Sequence, residues 1–542
     1  MSQPSSATPE AGDQDYIDVP NPNGEETDNS DNNNNKNDNN RLHVAIVGGG
    51  ITGLALALGL SARGVRYTLY ERASGLREIG AGIGLSPNAE RALRAIDVRA
   101  HAVFKRVAAP SSSGGDWFEW VDGTTDQLAF RLSTRLVEPE GNVRFGKAVD
   151  RIEGWGVGEE DGDDGKVVLR FKDGTTEEAD VVIGCDGIYS RVRQLLLGEE
   201  NPASYAAYTQ KFSFRTILPM EQVLTHSDIV HRIKTRVMFN GPGAHIITYP
   251  IGAKADILNV LFVISEPSPP SSSSPSHPQS TPISKSQEKR KPAVAKASKS
   301  EAIEAFKSWH PTIRSIVDLL PDAEAVDSDE TKALRWDIYD MHDHPAPYYT
   351  RGGVCLAGDA AHASTPHLGS GAGFGIEDAL TLATVLEAVD KEIIDAGEGA
   401  RVTGTVTDDD DNDNHGEPEV VIKDESSTNT REQVRKVKKP DLCRAALAAY
   451  NDVRYERTQW LPGASREACG LFQWEGEAGR RGRDDPAWFG EEITRRFYHI
   501  WNYDIDGMVR DVLAQFRGRV GSNMPVGVGK GRGEGISGHL SM

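Results

Sequence analysis

Gly48, Gly50 and Gly53 fall in the spacing GxGxxG directly after an apolar run, Leu-His-Val-Ala-Ile-Val, that begins at residue 42. A strand in front and a helix behind would make these glycines a phosphate site. Gly48 permits the tight turn, Gly50 lets backbone approach a pyrophosphate, and Gly53 lets the helix pack on the strand, while the helix start offers N–H groups and a positive dipole end. Glu71, at the end of the next strand-like run, suits a ribose 2′-hydroxyl. It would repel a 2′-phosphate, which favours FAD or NAD over NADP. Asp359 follows the apolar stretch Gly353–Gly358 and precedes small residues, so its carboxylate can reach a sugar or ribityl hydroxyl. Gly369, Gly371 and Gly373, with Ala372 among them, lead into a helical pattern whose first N–H groups would stabilise negative charge.

A second group points to acid–base chemistry. His245 and Tyr249 stand at i and i+4 on a predicted strand, an even spacing that puts both side chains on one face. An imidazole and a phenol could relay a proton from a substrate hydroxyl, and a packing role for both fits the same spacing. Arg215, on the strand Phe212–Ile217, could pair a substrate carboxylate bidentately or stand solvated at the surface.

The elements that must position these residues follow from periodicity. Residues 42–47, a helix from Thr52 to Arg63 stopped by Gly64, and a strand over Arg66–Glu71 form a βαβ unit. Val167–Phe171, an Asp-Gly turn and Ala179–Cys185 give a hairpin arm and another buried strand. Residues 205–265 alternate polar and apolar, as in Phe212–Ile217, Arg232–Phe239 and His245–Pro250, which predicts antiparallel strands with one ligand-facing or solvated side. One amphipathic helix is predicted over 300–320, another from about Gly373 to Val389, and a helical region over 441–515.

Composition sets the limits. The chain has 542 residues and a net charge of −21. Residues 1–40 hold nine acids against one Lys, and residues 408–419 hold seven acids and no base, so acidity describes appendages. It argues only weakly against nucleic-acid binding, and no nucleic-acid partner is expected. The sequence shows neither a long apolar span nor a charged-then-apolar leader, so no integral membrane contact and a cytoplasmic location are expected. Cys185, Cys355, Cys443 and Cys469 lie far apart with no CxxC pair, which reads as buried thiols with no metal and no disulfide framework.

Asp180–Arg193 (DVVIGCDGIYSRVR) and Gly352–Asp378 (GGVCLAGDAAHASTPHLGSGAGFGIED) resemble the DG and GD motifs of the single-component FAD-dependent aromatic hydroxylases. The first βαβ unit, Glu71-Arg72 and GAGIG at 80–84 fit the same family, most like its salicylate hydroxylase and 6-hydroxynicotinate monooxygenase branch. The resemblance covers roughly 42–265 and 300–515. It implies an α/β (α+β mixed) fold of the hydroxybenzoate-hydroxylase type: a Rossmann-like FAD-binding domain over 42–110, 136–200 and 335–397, and a mixed-sheet substrate domain over 111–135 and 201–334. Helices at 441–516 would follow, with disordered segments at 1–40, 267–300, 398–440 and 517–542.

The implied cofactor contacts are Gly48, Gly50, Gly53, Glu71, Arg72, Gly82, Arg131, Asp186, Gly187, Gly358, Asp359, Gly371 and Ala372. Asp186, Gly187 and Arg193 would serve the FAD pyrophosphate and NAD(P)H, or else act as a helix cap and an ion pair. The implied catalytic residues are His245, Tyr249, Arg215 and Pro366, the last matching the family proline beside the flavin's reactive face. One departure concerns Arg131: the family carries a helix before Asn142-Val-Arg-Phe, and here the shorter Phe130-Arg131-Leu-Ser-Thr-Arg135 leads into Glu138. The implied activity is hydroxylation of a phenolic, salicylate-like aromatic acid with NADH or NADPH and molecular oxygen through a flavin C4a-hydroperoxide. An epoxidase, a tailoring hydroxylase of a larger substrate, and a catalytically silent or aberrant flavin-fold protein are the alternatives. The oligomeric state is left open.

Overall fold

A computed structural model of the chain describes residues 41–75, 84–107, 119–122, 127–131, 142–155, 165–225, 233, 235–251, 255–266, 295–296, 299–320, 334–402, 420–422 and 435–521. Gly82 and most of the GAGIG run lie outside these residues, as do 132–141 and the 1–40 tail.

The apolar run at residue 42 becomes the strand His43–Val47, buried along most of its length. It sits in a six-stranded sheet ordered Thr350–Arg351, Val354–Leu356, Val181–Gly184, His43–Val47, Arg66–Tyr70, Val143–Arg144. Every pair is parallel except the first, where Thr350–Arg351 runs antiparallel along the edge. The continuous Val/Ile/Leu content of the inner strands suits a sheet covered on both faces. The helix Ile51–Ala62 follows the glycine turn and packs on the long helix Gly371–Val402, where Gly59 admits Ala383: a Cβ there would sit 2.8 Å from the alanine methyl.

The second sheet has eight strands, ordered Ala295–Lys296, Leu334–Asp340, Ala207–Pro219, Ile257–Ser265, Ala244–Ile251, Val237–Gly241, Glu119–Asp122, Gln127–Arg131. All described pairs are antiparallel save Val237–Gly241 with Glu119–Asp122. Period-two alternation gives this sheet two apolar faces with different partners. Phe212, Phe214, Phe239 and Phe262 point to a core closed by Phe306, Trp309 and Ile313. Met238, Ile247, Leu261 and Tyr249 point the other way, onto Leu368, Phe374 and the C-terminal helices.

Several elements differ from the sequence expectation. The single helix expected over 300–320 is two, Lys299–Phe306 and Pro311–Asp318. Pro311 has no N–H and disfavours helical geometry at His310, and the His310 ring instead accepts from the Thr312 N–H at 3.3 Å to start the second helix. The helix expected to end near Val389 runs on to Val402, and the C-terminal region resolves into Lys439–Phe472, Gly476–Asp484, Pro486–Trp501 and Ile505–Gly521. Inside 398–440, where composition predicts no packing, Val420–Ile422 pairs antiparallel with Arg435–Val437. Among the described residues no helix is long and apolar enough to cross a membrane.

Two long helices are joined by buried charge. Arg454 donates through Nε to Asp378 Oδ1 at 2.7 Å and pairs through Nη1 with Glu377 Oε2 at 2.8 Å. Arg457 grips Glu377 with two bonds of 2.8 Å, and Asn88 Nδ2 adds a third at 2.7 Å. Arg454, Glu377 and Asp378 are each 0% exposed, so removal of one partner strands the others without water. Arg454→Met should therefore cost about 3–5 kcal/mol in urea-unfolding free energy. A loss below about 1 kcal/mol would show that these charges do not join the helices.

Candidate active site

The glycine turn has the geometry that a pyrophosphate requires. Gly48 adopts φ +107°, and a Cβ there would lie 2.5 Å from the Cys185 carbonyl oxygen; one on Gly53 would lie 2.0 Å from the Gly48 carbonyl oxygen. A Cβ on Gly50 would meet nothing within 4 Å, so open space lies in front of the N-terminus of Ile51–Ala62. Glu71 braces the turn by accepting from the N–H groups of Gly49 and Ala73, each at 2.7 Å. Each carboxylate oxygen keeps a further lone pair for a ribose hydroxyl. Arg72 beside it is exposed.

The second wall is the segment after Val354–Leu356. Gly358 adopts φ +59°, and its Cβ would sit 2.3 Å from Thr52 Oγ1; one on Gly375 would sit 2.1 Å from the same oxygen. Thr52, at the start of the nucleotide helix, is thus wedged between two glycines of this wall. Asp378 Oδ2 accepts the Gly358 N–H at 2.9 Å and contacts His362 Nε2 at 2.6 Å, which carries the buried charge network into the loop. Asp359 itself is exposed, and its Oδ1 lies 3.8 Å from the Cβ position of Gly371 at the start of the long helix. Surrounding protein pushes its carboxyl above the usual range by desolvation, opposed by His362 and Arg193. A side chain both exposed and desolvated lines a deep recess. Gly371 and Ala372 are partly exposed beside it, and Pro366 is exposed at the first position of the turn Pro366–Leu368. Thr365 holds that turn to the C-terminal helix through hydrogen bonds of 2.8 Å with Ser465.

The DG segment supports this wall from behind. Arg193, 0% exposed, donates to the carbonyls of Ala360 at 3.0 Å and Ser204 at 3.2 Å. Desolvation lowers its pKa to about 10 despite the pull of Asp186 and Asp359. Of the roles open for Asp186, the cap is the one its contacts display: the carboxylate accepts from the N–H of Arg191 at 2.7 Å and the hydroxyl of Ser190 at 2.5 Å, at the start of Arg191–Leu197. Gly187, at φ +78°, turns the chain there. Arg131 ends the edge strand Gln127–Arg131, opposite Glu119, so the stretch that departs from the family pattern starts as strand rather than helix.

On the sheet face opposite the phenylalanine core, Arg215 donates through Nε to Asn259 Oδ1 at 3.0 Å and hydrogen-bonds Tyr249. Tyr249 stands directly opposite Asn259 in the strand register. Burial raises the Tyr249 phenol, and the Arg215 charge opposes that shift. Among the described residues the Asn259 Nδ2 amide, in a side chain only 1% exposed, has no hydrogen-bond partner. His245 shares the face but not the cluster. Four residues along a strand span about 13 Å, and His245 is packed against Gln473, His367 and Phe472 instead. The structure thus joins Arg215 and Tyr249 and keeps the imidazole apart. Sequence reasoning missed Thr52, Asn259, Asp378 and Arg454. Asp378 closed the quoted GD stretch, and the others carry no local signal.

Residues 41–397 match the FAD binding domain family. The FAD-dependent monooxygenase pigN of Monascus ruber is 40% identical over 506 residues, covering 89% of this chain and 98% of the relative. The chain belongs to the FAD-dependent monooxygenases. The salicylate hydroxylase asL1 of Sarocladium schorii is 31% identical over 88% of this monooxygenase and 91% of its own length. A solved salicylate hydroxylase substrate complex shares the fold, with a TM-score of 0.62 at 24% identity over 88% of this chain and 98% of that one. The open cradle at Gly50 and the recess-lining Asp359 fit FAD.

If Asp359 holds a ribityl hydroxyl, Asp359→Ala should weaken FAD binding by about 1–3 kcal/mol, or roughly 5- to 150-fold in Kd. Fluorescence titration of apoprotein with FAD measures this, and unchanged affinity would remove Asp359 from the cofactor contacts.

Proposed function

We propose that this monooxygenase hydroxylates the ring of a phenolic aromatic acid, with NADH or NADPH as reductant and molecular oxygen as co-substrate. The observation that carries the reading is the Arg215–Tyr249–Asn259 cluster on the sheet face that also presents the apolar Met238, Ile247 and Leu261. Leu368, two residues beyond Pro366, belongs to the apolar cluster that packs on this face.

The chain's own contributions follow from charge. The Arg215 guanidinium suits a carboxylate or phenolate oxygen, and Asn259 Oδ1 fixes its direction. Tyr249, raised by burial, stays protonated at neutral pH and donates to the same oxygen. An anionic phenol is a more electron-rich ring, which is what oxygen transfer from an electrophile needs. FAD supplies the two-electron step from the nicotinamide and the activation of oxygen, while the apolar face and the C-terminal helices exclude water. Identity is higher to pigN, at 40%, than to the salicylate hydroxylase asL1, at 31%, which favours a substrate other than salicylate, as in the alternative of a tailoring hydroxylase.

A screen of aromatic acids for stimulated NADH and NADPH oxidation, with product identified by mass, tests the proposal. With the best substrate, Arg215→Met should lower kcat/KM by about 10- to 100-fold, as for loss of a hydrogen bond to a charged group, while FAD stays bound. Tyr249→Phe should cost about 3- to 10-fold. Stimulation by neutral aromatics alone, or an Arg215→Met enzyme with wild-type kcat/KM, would overturn the assignment.

A further inference from the structure

His245, His367 and Cys469 meet where three elements cross: the strand Ala244–Ile251, the turn Pro366–Leu368 and the helix Lys439–Phe472. Each offers a ligand atom, and the three atoms lie within 4.8 Å of one another. The side chains are 0%, 3% and 1% exposed. Among the described residues, His245 Nε2 and both ring nitrogens of His367 have no hydrogen-bond partner, although buried polar atoms are nearly always paired. One imidazole with neither nitrogen paired, a second with Nε2 unpaired, and a thiol thus face one another.

We propose that His245, His367 and Cys469 form a buried site for a soft monovalent cation, Cu+. Bonds of about 2.0–2.3 Å place three ligands roughly 3.5–4 Å apart, so side-chain shifts of about 1 Å close the site. Thiolate and imidazole are ligands that Cu+ accepts. Charge selects it over Zn2+: one thiolate and two neutral imidazoles cancel a single positive charge, whereas Zn2+ would leave a net charge among almost fully buried side chains. Lys211, whose charge acts on both imidazoles, is held by Glu475 at 2.8 Å and Gln473 at 2.7 Å, and it would add to the repulsion of a divalent ion. Gln473 Nε2 donates to His245 Nδ1 at 3.2 Å, so the neutral ring carries its proton on Nε2 and must move it to Nδ1, giving up the Gln473 bond, before Nε2 can ligate. Cys469 is a free, buried thiol. Binding therefore releases one proton: the S–H bond breaks, an S–Cu bond forms, and no oxidation state changes. The ion would pin the proline turn to the substrate sheet.

The test is an anaerobic titration of the FAD-loaded enzyme with Cu+ against the chelator bicinchoninate, followed by X-ray absorption at the copper edge. One equivalent should bind, with one sulfur and two imidazole nitrogens around the metal, and the melting temperature should rise. His367→Gln and Cys469→Ser should each weaken retention by at least 100-fold, while Cys443→Ser, whose thiol is buried elsewhere, retains wild-type binding. Zn2+ at the same free concentration should leave the site empty. No copper retained by wild type, a copper shell without sulfur, tighter binding of Zn2+, or full retention by Cys469→Ser would each overturn the proposal. The absorption spectrum of wild type decides the matter if a variant fails to fold.

Discussion

Glu377 and Asp378 lie side by side in the first turns of Gly371–Val402, fully buried, and could not remain ionised there without Arg454 and Arg457. The arginines counter the cost of desolvation, and the carboxyl of Asp378 is held down at about 2 by His362 and Arg454 against burial. The consequence reaches beyond the two helices. Asp378 spends its second oxygen on the Gly358 N–H and His362, so the same pairing sets the backbone that presents Asp359 to the recess. Arg193 reaches this backbone from the DG segment through carbonyl oxygens. The wall that carries Asp359 is therefore positioned by charges buried behind it.

The chemistry rests on a second constraint, the two-residue period of a strand. Alternation along Ala207–Pro219 sends Phe212 and Phe214 into one core and Arg215 to the opposite face, where Tyr249 and Asn259 meet it across neighbouring strands. A one-residue slip in register would bury the guanidinium among phenylalanines. The apolar packing on one face thus fixes the polar cluster on the other.

Sequence made the local features legible. The turn at Gly48–Gly53 and the βαβ unit are short-range, with each glycine's reason lying in residues close by or in the next strand. Strand alternation was equally readable, so His245 and Tyr249 could be placed on one face. Distance was not. Periodicity gives the side of a strand but not whether two residues on it can touch, so the same argument that paired His245 with Tyr249 overlooked the length between them. Contacts between remote segments, such as Asp378 with Arg454 or Thr52 between Gly358 and Gly375, leave no local pattern. Pro311 did leave one, and a proline within the expected helix of 300–320 was enough to divide it.

If the buried charge pair sets the cofactor wall, neutralising its shared carboxylate must be felt in FAD affinity. The direct measurement is the FAD dissociation constant of Asp378→Asn apoprotein under conditions where circular dichroism shows it folded, with hydrogen exchange at Gly358–His362 followed in parallel. An affinity loss of at least tenfold is expected, together with faster exchange across that loop. Wild-type affinity with a folded but unprotected loop would contradict it.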